Sequence, residues 1–433
     1  MTARNLLLFA AVASLYLMTG VFQSWNLSLS ILNAALLATI AALGVNMQWG
    51  YAGLFSVGTM GFTALGGLAV VLVSARPNVD NWQAGGWGIL LALVLGALSV
   101  AAAVIARRAL PRGRGRSLAV LAILIGGFFL FRAVFDPNTT AAEAINPEFA
   151  GNLGGLGLPS LFAWPVGGLL AAAAAWAIGK TALGLRSDYL AIATLGIAEI
   201  TVSVIKNEDW LARGVKNIID LPRPWPVPYE VDLQQDPGFL DLVSRWGFDP
   251  VFASTIGVKL LYAGMFGLVL AAIIWAFERA LNSPWGRMMR AIRDNEVSAA
   301  AMGKDVTGRH LQVFILGSAV IGFAGAMMTS MDGQLTPGTY NPLRFTFLVW
   351  VMVIVGGSGN NWGTVLGGLL IGWLWLVVEN IGPNIMGLMT WPFPDGALKA
   401  HLLGSAEHMR LLTMGVILLL VMRFSPRGLI PEK

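Results

Sequence analysis

The sequence predicts an all-α, polytopic transmembrane helical bundle of about 10 to 12 spans, some of them broken or re-entrant. Of the 433 residues, 56% are hydrophobic and only 12% are charged, and the mean hydropathy is +0.70. Several uninterrupted apolar runs reach about 20 residues, the length that a helix needs to cross the hydrocarbon core. This composition excludes a soluble globular domain, and continuous runs favour helices over the alternating strands of a membrane barrel.

The apolar runs predict the spans one by one. The first run is predicted to be a membrane helix and not a signal peptide, because another apolar run follows it where a cleavage site and a polar start would be needed. The whole chain, 1–433, is predicted to form a single transmembrane domain. The predicted spans are 5–22, 28–45, 50–75, 86–106, 117–135, 162–180, 189–206, 257–279, 310–331, 345–357, 361–380 and 410–424.

The charges between the spans predict which side of the membrane each loop faces. Residues 107–116 carry five arginines and no acid, and residues 283–309 are also basic, so both are predicted to be cytoplasmic. Residues 136–161 contain acids without Lys or Arg, and 207–256 holds eight acids against four basic residues, so both are predicted to be external loops. Together with the basic chain end, this alternation predicts that both termini are cytoplasmic.

Two glycine-rich segments, one in each half of the chain, interrupt the apolar pattern at 50–58 and 356–363. Glycine at such density permits unwound backbone and close helix contacts. Broken helices in corresponding halves are typical of a transport pathway, and tight packing without a pathway role is the alternative for any single glycine. The candidate translocation-pathway residues are Asn46, Gly50, Gly53, Ser56, Thr194, Glu199, Gly356, Gly357 and Asn360.

Glu199 is a candidate because an ionisable residue at lipid depth is costly. It is predicted either to line the pathway or pair helices, or to lie near the interface, bonded to a neighbouring helix.

The chain offers little chemistry of its own. It has no cysteine, and its three histidines are scattered, so no metal site is predicted. No nucleophile–base set or pair of carboxylates is visible. Gly179-Lys180-Thr181 resembles the end of a phosphate-binding loop, but Ala174 stands where that motif needs glycine. We therefore predict no enzyme activity and no cofactor, and we assign the net charge of +5 to cytoplasmic loops and not to nucleic-acid binding.

The basic segment 283–309 predicts a helix at the membrane surface that binds another protein. Pro284 suits a helix start, and a Glu-x-x-Ala-Ala-x-x-Gly pattern follows. Small side chains present a narrow surface that fits a groove, and arginines suit acidic groups or lipid phosphates. An ordinary basic loop explains the arginines but not this pattern. The candidate partner-binding residues are Glu296, Ala299, Ala300, Gly303, Arg290 and Arg293.

Several blocks of the sequence resemble a known family. Residues 296–303, Glu-Val-Ser-Ala-Ala-Ala-Met-Gly, resemble the coupling-helix motif of bacterial ATP-binding-cassette (ABC) importer permeases. As a set, the blocks resemble the LivM-type permease of branched-chain amino-acid importers. These blocks are 46–58, 185–200, 291–303, 355–363 and 423–429.

The resemblance implies a permease subunit in the bacterial cell inner membrane. It also implies a homologous second permease subunit, two cytoplasmic ATPase subunits and an external, periplasmic solute-binding protein. Residues 296–303 would then dock into a groove of an ATPase, and the loop 207–256 would help to meet the binding protein.

The chain also departs from the family pattern. Residues 211–216 read Leu-Ala-Arg-Gly-Val-Lys where members commonly carry Thr-Gly-Gly, and Ala300 stands where a second acid is often found. The stretches 107–165 and 383–408 look inserted. These departures leave the solute open, because related permeases handle urea, short amides or other amino acids. An ion-coupled secondary transporter, for which Glu199 alone is thin support, and a membrane-embedded enzyme, for which no set of titratable residues is visible, are the alternatives from other classes.

Overall fold

The apolar runs fold into α-helices in the computed structural model, which describes residues 3–145, 151–184, 187–391 and 394–432. A chain in hydrocarbon must satisfy its own backbone N–H and C=O groups, and a helix does so locally. The prediction of a polytopic helical bundle is confirmed. Parts of the predicted segments 136–161, 185–200 and 383–408 lie outside the described residues.

The helices follow one another along the whole described chain. The first half contains α1 (Ala3–Phe22), α2 (Trp25–Val45), α3 (Thr59–Ser74), α4 (Val79–Asn81), α5 (Trp87–Ala109), α6 (Arg114–Glu143), α7 (Ala163–Ala182), α8 (Ser187–Asn207) and α9 (Asp209–Ala212). The second half contains α10 (Glu230–Gln235), α11 (Pro237–Arg245), α12 (Pro250–Leu281), α13 (Pro284–Asp294), α14 (Glu296–Ala301), α15 (Val306–Asp332), α16 (Pro342–Gly356), α17 (Asn361–Thr390), α18 (Ala397–Gly404) and α19 (Met409–Phe424).

Not every predicted span is a full-length helix. Within the described residues, nine helices are long and apolar enough to cross a membrane, or ten if the bent pair α18–α19 forms one span. The predicted spans 50–75, 345–357 and 410–424 correspond to the shorter helices α3, α16 and α19. The 16 residues of α3 extend about 24 Å, less than the hydrocarbon thickness. The prediction of interrupted spans is thus confirmed, and a plain count of twelve crossings is too simple.

Glycines bring the backbones of α3, α7 and α15 into direct contact. A Cβ atom added at Gly66 would lie 1.9 Å from the carbonyl oxygen of Gly322. One added at Gly325 would lie 2.1 Å from the carbonyl oxygen of Thr63, and one added at Gly322 would lie 2.6 Å from that of Gly167. Lipid provides little hydrophobic drive for helix association, so close backbone packing of this kind holds membrane helices together.

Gly66→Ala is therefore expected to destabilise the protein by about 1–3 kcal/mol, because the new methyl group overlaps backbone that cannot rotate away. Gly264→Ala is the matched control, since no described atom lies within 4 Å of a Cβ added there. Thermal unfolding of both variants in detergent measures the difference. Equal midpoints would contradict the proposed backbone contact.

Helices α5 and α6 form a hairpin that packs mainly on itself. The apolar stretch of α6, all of it described, buries none of its residues. One end of the hairpin is attached to the bundle by a small buried cluster of Ile89, Ala142 and Leu153, with Trp82 and Trp210 packed against it. Much of the stretch 107–165, predicted as an insertion, is the second helix of this hairpin.

The loops that are predicted to be external meet at one end of the bundle. The N–H of Leu153 donates to the carbonyl oxygen of Trp210 at 2.9 Å. Ile218 and Leu335 exchange backbone hydrogen bonds of 3.1 and 2.8 Å. The segments after α6, α8 and α15 therefore form one connected surface, opposite the end that holds α14.

Candidate coupling and translocation site

The basic segment 283–309 folds as two helices, α13 and α14, and not as one. Pro284 begins α13, as predicted from its fixed φ and missing N–H. Asn295 is extended (φ −156°) and separates the helices, and its side-chain oxygen accepts the N–H of Ser298 at 2.9 Å, which caps α14. Gly303 follows α14 with φ +75°, a left-handed conformation that favours glycine. The segment therefore ends in a short helix at the tip of the bundle.

The exposed surface of α14 differs from the one predicted. Val297 and Met302 are each 80% exposed, whereas Ala299 is 9% exposed and packs into the hydrophobic core. Ala300 and Glu296 are exposed. That side of the helix faces inward, so Ala299 adds little to the exposed surface of α14, and its part in binding a partner stays a prediction.

Arg290 and Arg293 point back into the protein. Arg290 is half-buried and donates to the carbonyl oxygen of Leu281 at 3.4 Å. Arg293 donates to the carbonyl oxygen of Gly50 at 2.6 Å and to the carboxylate of Glu432 at 2.8 Å. Burial alone would lower the pKa of Arg293, but the bonds and charges of Glu432 and Asp294 raise it above its ordinary value. A permanently charged side chain thus joins the segment of α13 and α14 to the first glycine-rich break.

The first break lies between α2 and α3. Helix α2 runs into a π-helical turn, Asn46–Gly50, and residues 51–58 are not helical before α3 begins at Thr59. Gly53 has φ +71°, which a side chain would strain. The prediction of an interrupted span is therefore confirmed here.

The second break is the turn between α16 and α17. Gly357 and Gly359 have φ of +120° and +78°. The side-chain oxygen of Asn360 then accepts the N–H groups of Trp362 and Gly363, at 3.0 and 3.2 Å, and caps α17.

Asn46 joins the two breaks directly. It is fully buried, and its side-chain oxygen accepts the N–H of Gly359 at 2.9 Å. Its side-chain N–H donates to the side-chain oxygen of Asn361 at 3.4 Å, and the side-chain N–H of Asn361 donates to the carboxylate of Glu278 at 3.1 Å. A Cβ at Gly50 would lie 2.5 Å from the N atom of Gly359. The structure thus brings Asn46, Gly50 and the turn that holds Gly356, Gly357 and Asn360 to one place, beside Arg293.

Of the remaining pathway candidates, Ser56 lies within the first break, Thr194 is bonded to it, and Glu199 lies on α8. Thr194 is buried on α8, and its hydroxyl accepts the N–H of Val57 at 3.0 Å. Ser56 is buried as well, and its carbonyl oxygen accepts the indole N–H of Trp350 at 3.2 Å. Glu199 is exposed on α8 and makes no hydrogen bond or ion pair with the described residues. Within the described residues, the side chain of Glu199 is therefore not bonded to a neighbouring helix.

A cavity of about 290 Å³ lies among α2, α3, α15, α16 and α17. Its wall is mainly apolar, with Met60, Leu348 and Trp375 among the lining residues, and with Asp332 and Tyr340 as polar ones. Both short helices, α3 and α16, border this space. They consequently have free volume on one side.

Sequence comparisons relate this chain to known transport proteins. The chain matches the family described as "Branched-chain amino acid transport system / permease component" over residues 148–422, more than half of its length. It is 28% identical over 339 residues to the probable branched-chain amino acid transport permease protein LivM of Methanocaldococcus jannaschii, covering 74% of this chain and 85% of that protein.

Two further relatives match a smaller share of this chain. The high-affinity branched-chain amino acid transport system permease protein LivM of Escherichia coli is 26% identical over 62% of this chain. The chain spans only 56% of the length of that protein. The probable permease LivH of M. jannaschii is 30% identical over 130 residues, which are 30% of this chain and 37% of LivH. No solved structure matches the chain. On the extent of the family match, this multi-pass membrane protein belongs to the branched-chain amino acid transport system permease family.

Proposed function

We propose that this protein is the permease subunit of an ABC importer that moves branched-chain or related amino acids inward across the bacterial inner membrane. One observation carries the proposal: α14 exposes Val297 and Met302 at 80% each, at the tip of a segment whose Arg293 is bonded to the first break. Large apolar side chains exposed outside the membrane are typical of a protein interface. Family membership supports the transport role.

The partners follow from the same arrangement. A homologous second permease subunit completes the membrane part, which the partial match to LivH supports. Two ATPase subunits bind the α14 tips on the cytoplasmic side, where both termini also lie. A periplasmic solute-binding protein meets the opposite surface, formed in part by residues 207–256. ATP is hydrolysed by the partners, and this chain contributes no catalytic residue.

The geometry suggests how the motion of the ATPases is linked to the transport pathway. Closure of the ATPase dimer displaces α14, and α13 carries the displacement to the Gly50 carbonyl through Arg293. Asn46 transmits that movement to the turn between α16 and α17 through its hydrogen bond with Gly359. ATP thereby biases the equilibrium between outward-open and inward-open pathways, because each nucleotide state favours one arrangement of the breaks. Glu199, exposed on α8, faces the pathway shared with the second permease subunit.

Uptake by the complete importer tests the proposal. Proteoliposomes that contain both permeases and the ATPases, supplied with binding protein and ATP, are expected to accumulate labelled leucine, and an uncoupler should not prevent this. Uptake driven by an ion gradient without ATP would indicate a secondary transporter instead. Competition by urea or acetamide, but not by valine or isoleucine, would assign the subunit to short amides.

A further inference from the structure

Residues 428–432 cross the α14 end of the bundle as a bent segment without helix or strand, which we name the C-terminal strap. A turn after α19 leads into it, in which the N–H of Gly428 donates to the carbonyl oxygen of Ser425 at 2.8 Å. Gly428 has φ +79°, and a Cβ there would lie 2.3 Å from the Cα of Gly357. The strap therefore begins in direct backbone contact with the second break.

The strap is bonded to the end of α16. The N–H groups of Leu429 and Ile430 donate to the carbonyl oxygens of Val355 and Gly356, both at 2.9 Å. Carbonyl groups in the last turn of a helix have no partner within the helix, so the strap satisfies two of them. Ile430 is 4% exposed and belongs to a buried cluster with Leu366 of α17. These contacts fix the strap to the membrane part of the bundle.

The strap also holds the start of α17. The side-chain N–H of Asn360 donates to the carbonyl oxygen of Pro431 at 3.1 Å. The oxygen of the same side chain caps α17, so one residue connects the strap with that helix.

Glu432 links the strap to the segment of α13 and α14. Its carboxylate accepts a hydrogen bond from Arg293 at 2.8 Å, and the two side chains are 31% and 23% exposed. A Cβ at Gly359 would lie 2.8 Å from that carboxylate and 3.1 Å from the Arg293 guanidinium, so the ion pair lies against the second break. A partly shielded, charge-assisted hydrogen bond is stronger than an exposed surface ion pair.

We propose that the C-terminal strap transmits the displacement of α14 to the turn between α16 and α17, and that Glu432 is its positioning residue. Arg293 bonds the first break through Gly50 and the strap through Glu432, so one guanidinium moves both. Without Glu432, the displacement still reaches Gly50 but is less well transmitted to α16 and α17. This inference rests on the proposed importer function.

The test uses the complete importer in proteoliposomes, with solute uptake and ATP hydrolysis measured together. Glu432→Gln keeps the size of the side chain but removes its charge, and Asn360→Asp keeps the cap of α17 but removes the donor to Pro431. In Glu432→Gln, uptake per ATP hydrolysed is expected to fall about tenfold, the effect of losing one charge-assisted hydrogen bond. In Asn360→Asp the fall is expected to be smaller but measurable, because the bond lost to Pro431 joins neutral groups. Co-purification of the ATPases should be unchanged. Glu379→Gln is the control, because it breaks an ion pair of 2.6 Å with Arg410 that does not involve the strap.

Two outcomes would count against different claims. A wild-type complex without ATP-dependent uptake would overturn the proposed function. An active wild-type complex, with the same uptake per ATP in the Glu432 and Asn360 variants, would overturn the role of the strap and leave the importer function intact. Melting temperatures of the purified variants identify an unfolded protein before uptake is compared.

Discussion

Val297→Asp is expected to reduce ATPase binding about 100-fold and to abolish uptake, since a buried apolar anchor of an interface typically contributes 2 kcal/mol or more. Val297 is 80% exposed in the isolated chain, so the substitution removes no packing of the permease itself. The new carboxylate would have to be buried unpaired in the partner groove. Quantitative co-purification of the ATPases with the variant permease measures the effect.

Val231→Asp is the matched control for this experiment. Val231 is 59% exposed on α10, in the segment 207–256 at the other end of the bundle. The Val231→Asp substitution introduces the same charge without touching α14, so ATPase co-purification should stay at the wild-type level. Full co-purification with Val297→Asp, or equal loss with Val231→Asp, would refute the assignment of α14 as the docking helix.

Asn46→Leu is the second substitution with a large expected effect. It leaves the buried N–H of Gly359 without its acceptor and removes the contact with Asn361. Each buried polar group left unpaired costs about 1–3 kcal/mol, so the protein should melt at a clearly lower temperature. Uptake should also be lost, because the two breaks no longer move together.

Asn380→Leu makes the same change on α17, at an exposed residue whose side chain bonds the carbonyl oxygen of Leu376 in its own helix. We expect the melting temperature of Asn380→Leu to be close to that of the wild type. If Asn46→Leu melts at the same temperature as this control and transports normally, the link between the breaks has no role in stability or transport.

The helices and their interruptions could be predicted because both depend on local sequence. Apolar run length determines where a helix can span the membrane, and glycine density determines where it breaks. The breaks near Gly53 and Gly357 were found in this way, and both glycines have positive φ. Pro284 likewise marked the start of α13.

The contacts that assemble the site could not be predicted, because they join distant parts of the chain. Asn46 and Gly359 are 313 residues apart, and Arg293 and Gly50 are 243 apart. No periodicity in the sequence connects such pairs, and Glu432 gave no signal of its own. The burial of Ala299 could not be predicted either, because the orientation of a six-residue helix depends on the chain before and after it.

The glycine contacts of α3, α7 and α15 also restrict how this fold can rearrange. At Gly66 and Gly322 the two backbones touch with no side chain between them, so neither helix can slide or rotate alone without driving neighbouring side chains into main-chain atoms. These three helices consequently travel as one rigid body. The room for a conformational change lies instead where α2, α16 and α17 face this rigid body, in the unfilled space of about 290 Å³ that can accept an incoming side chain.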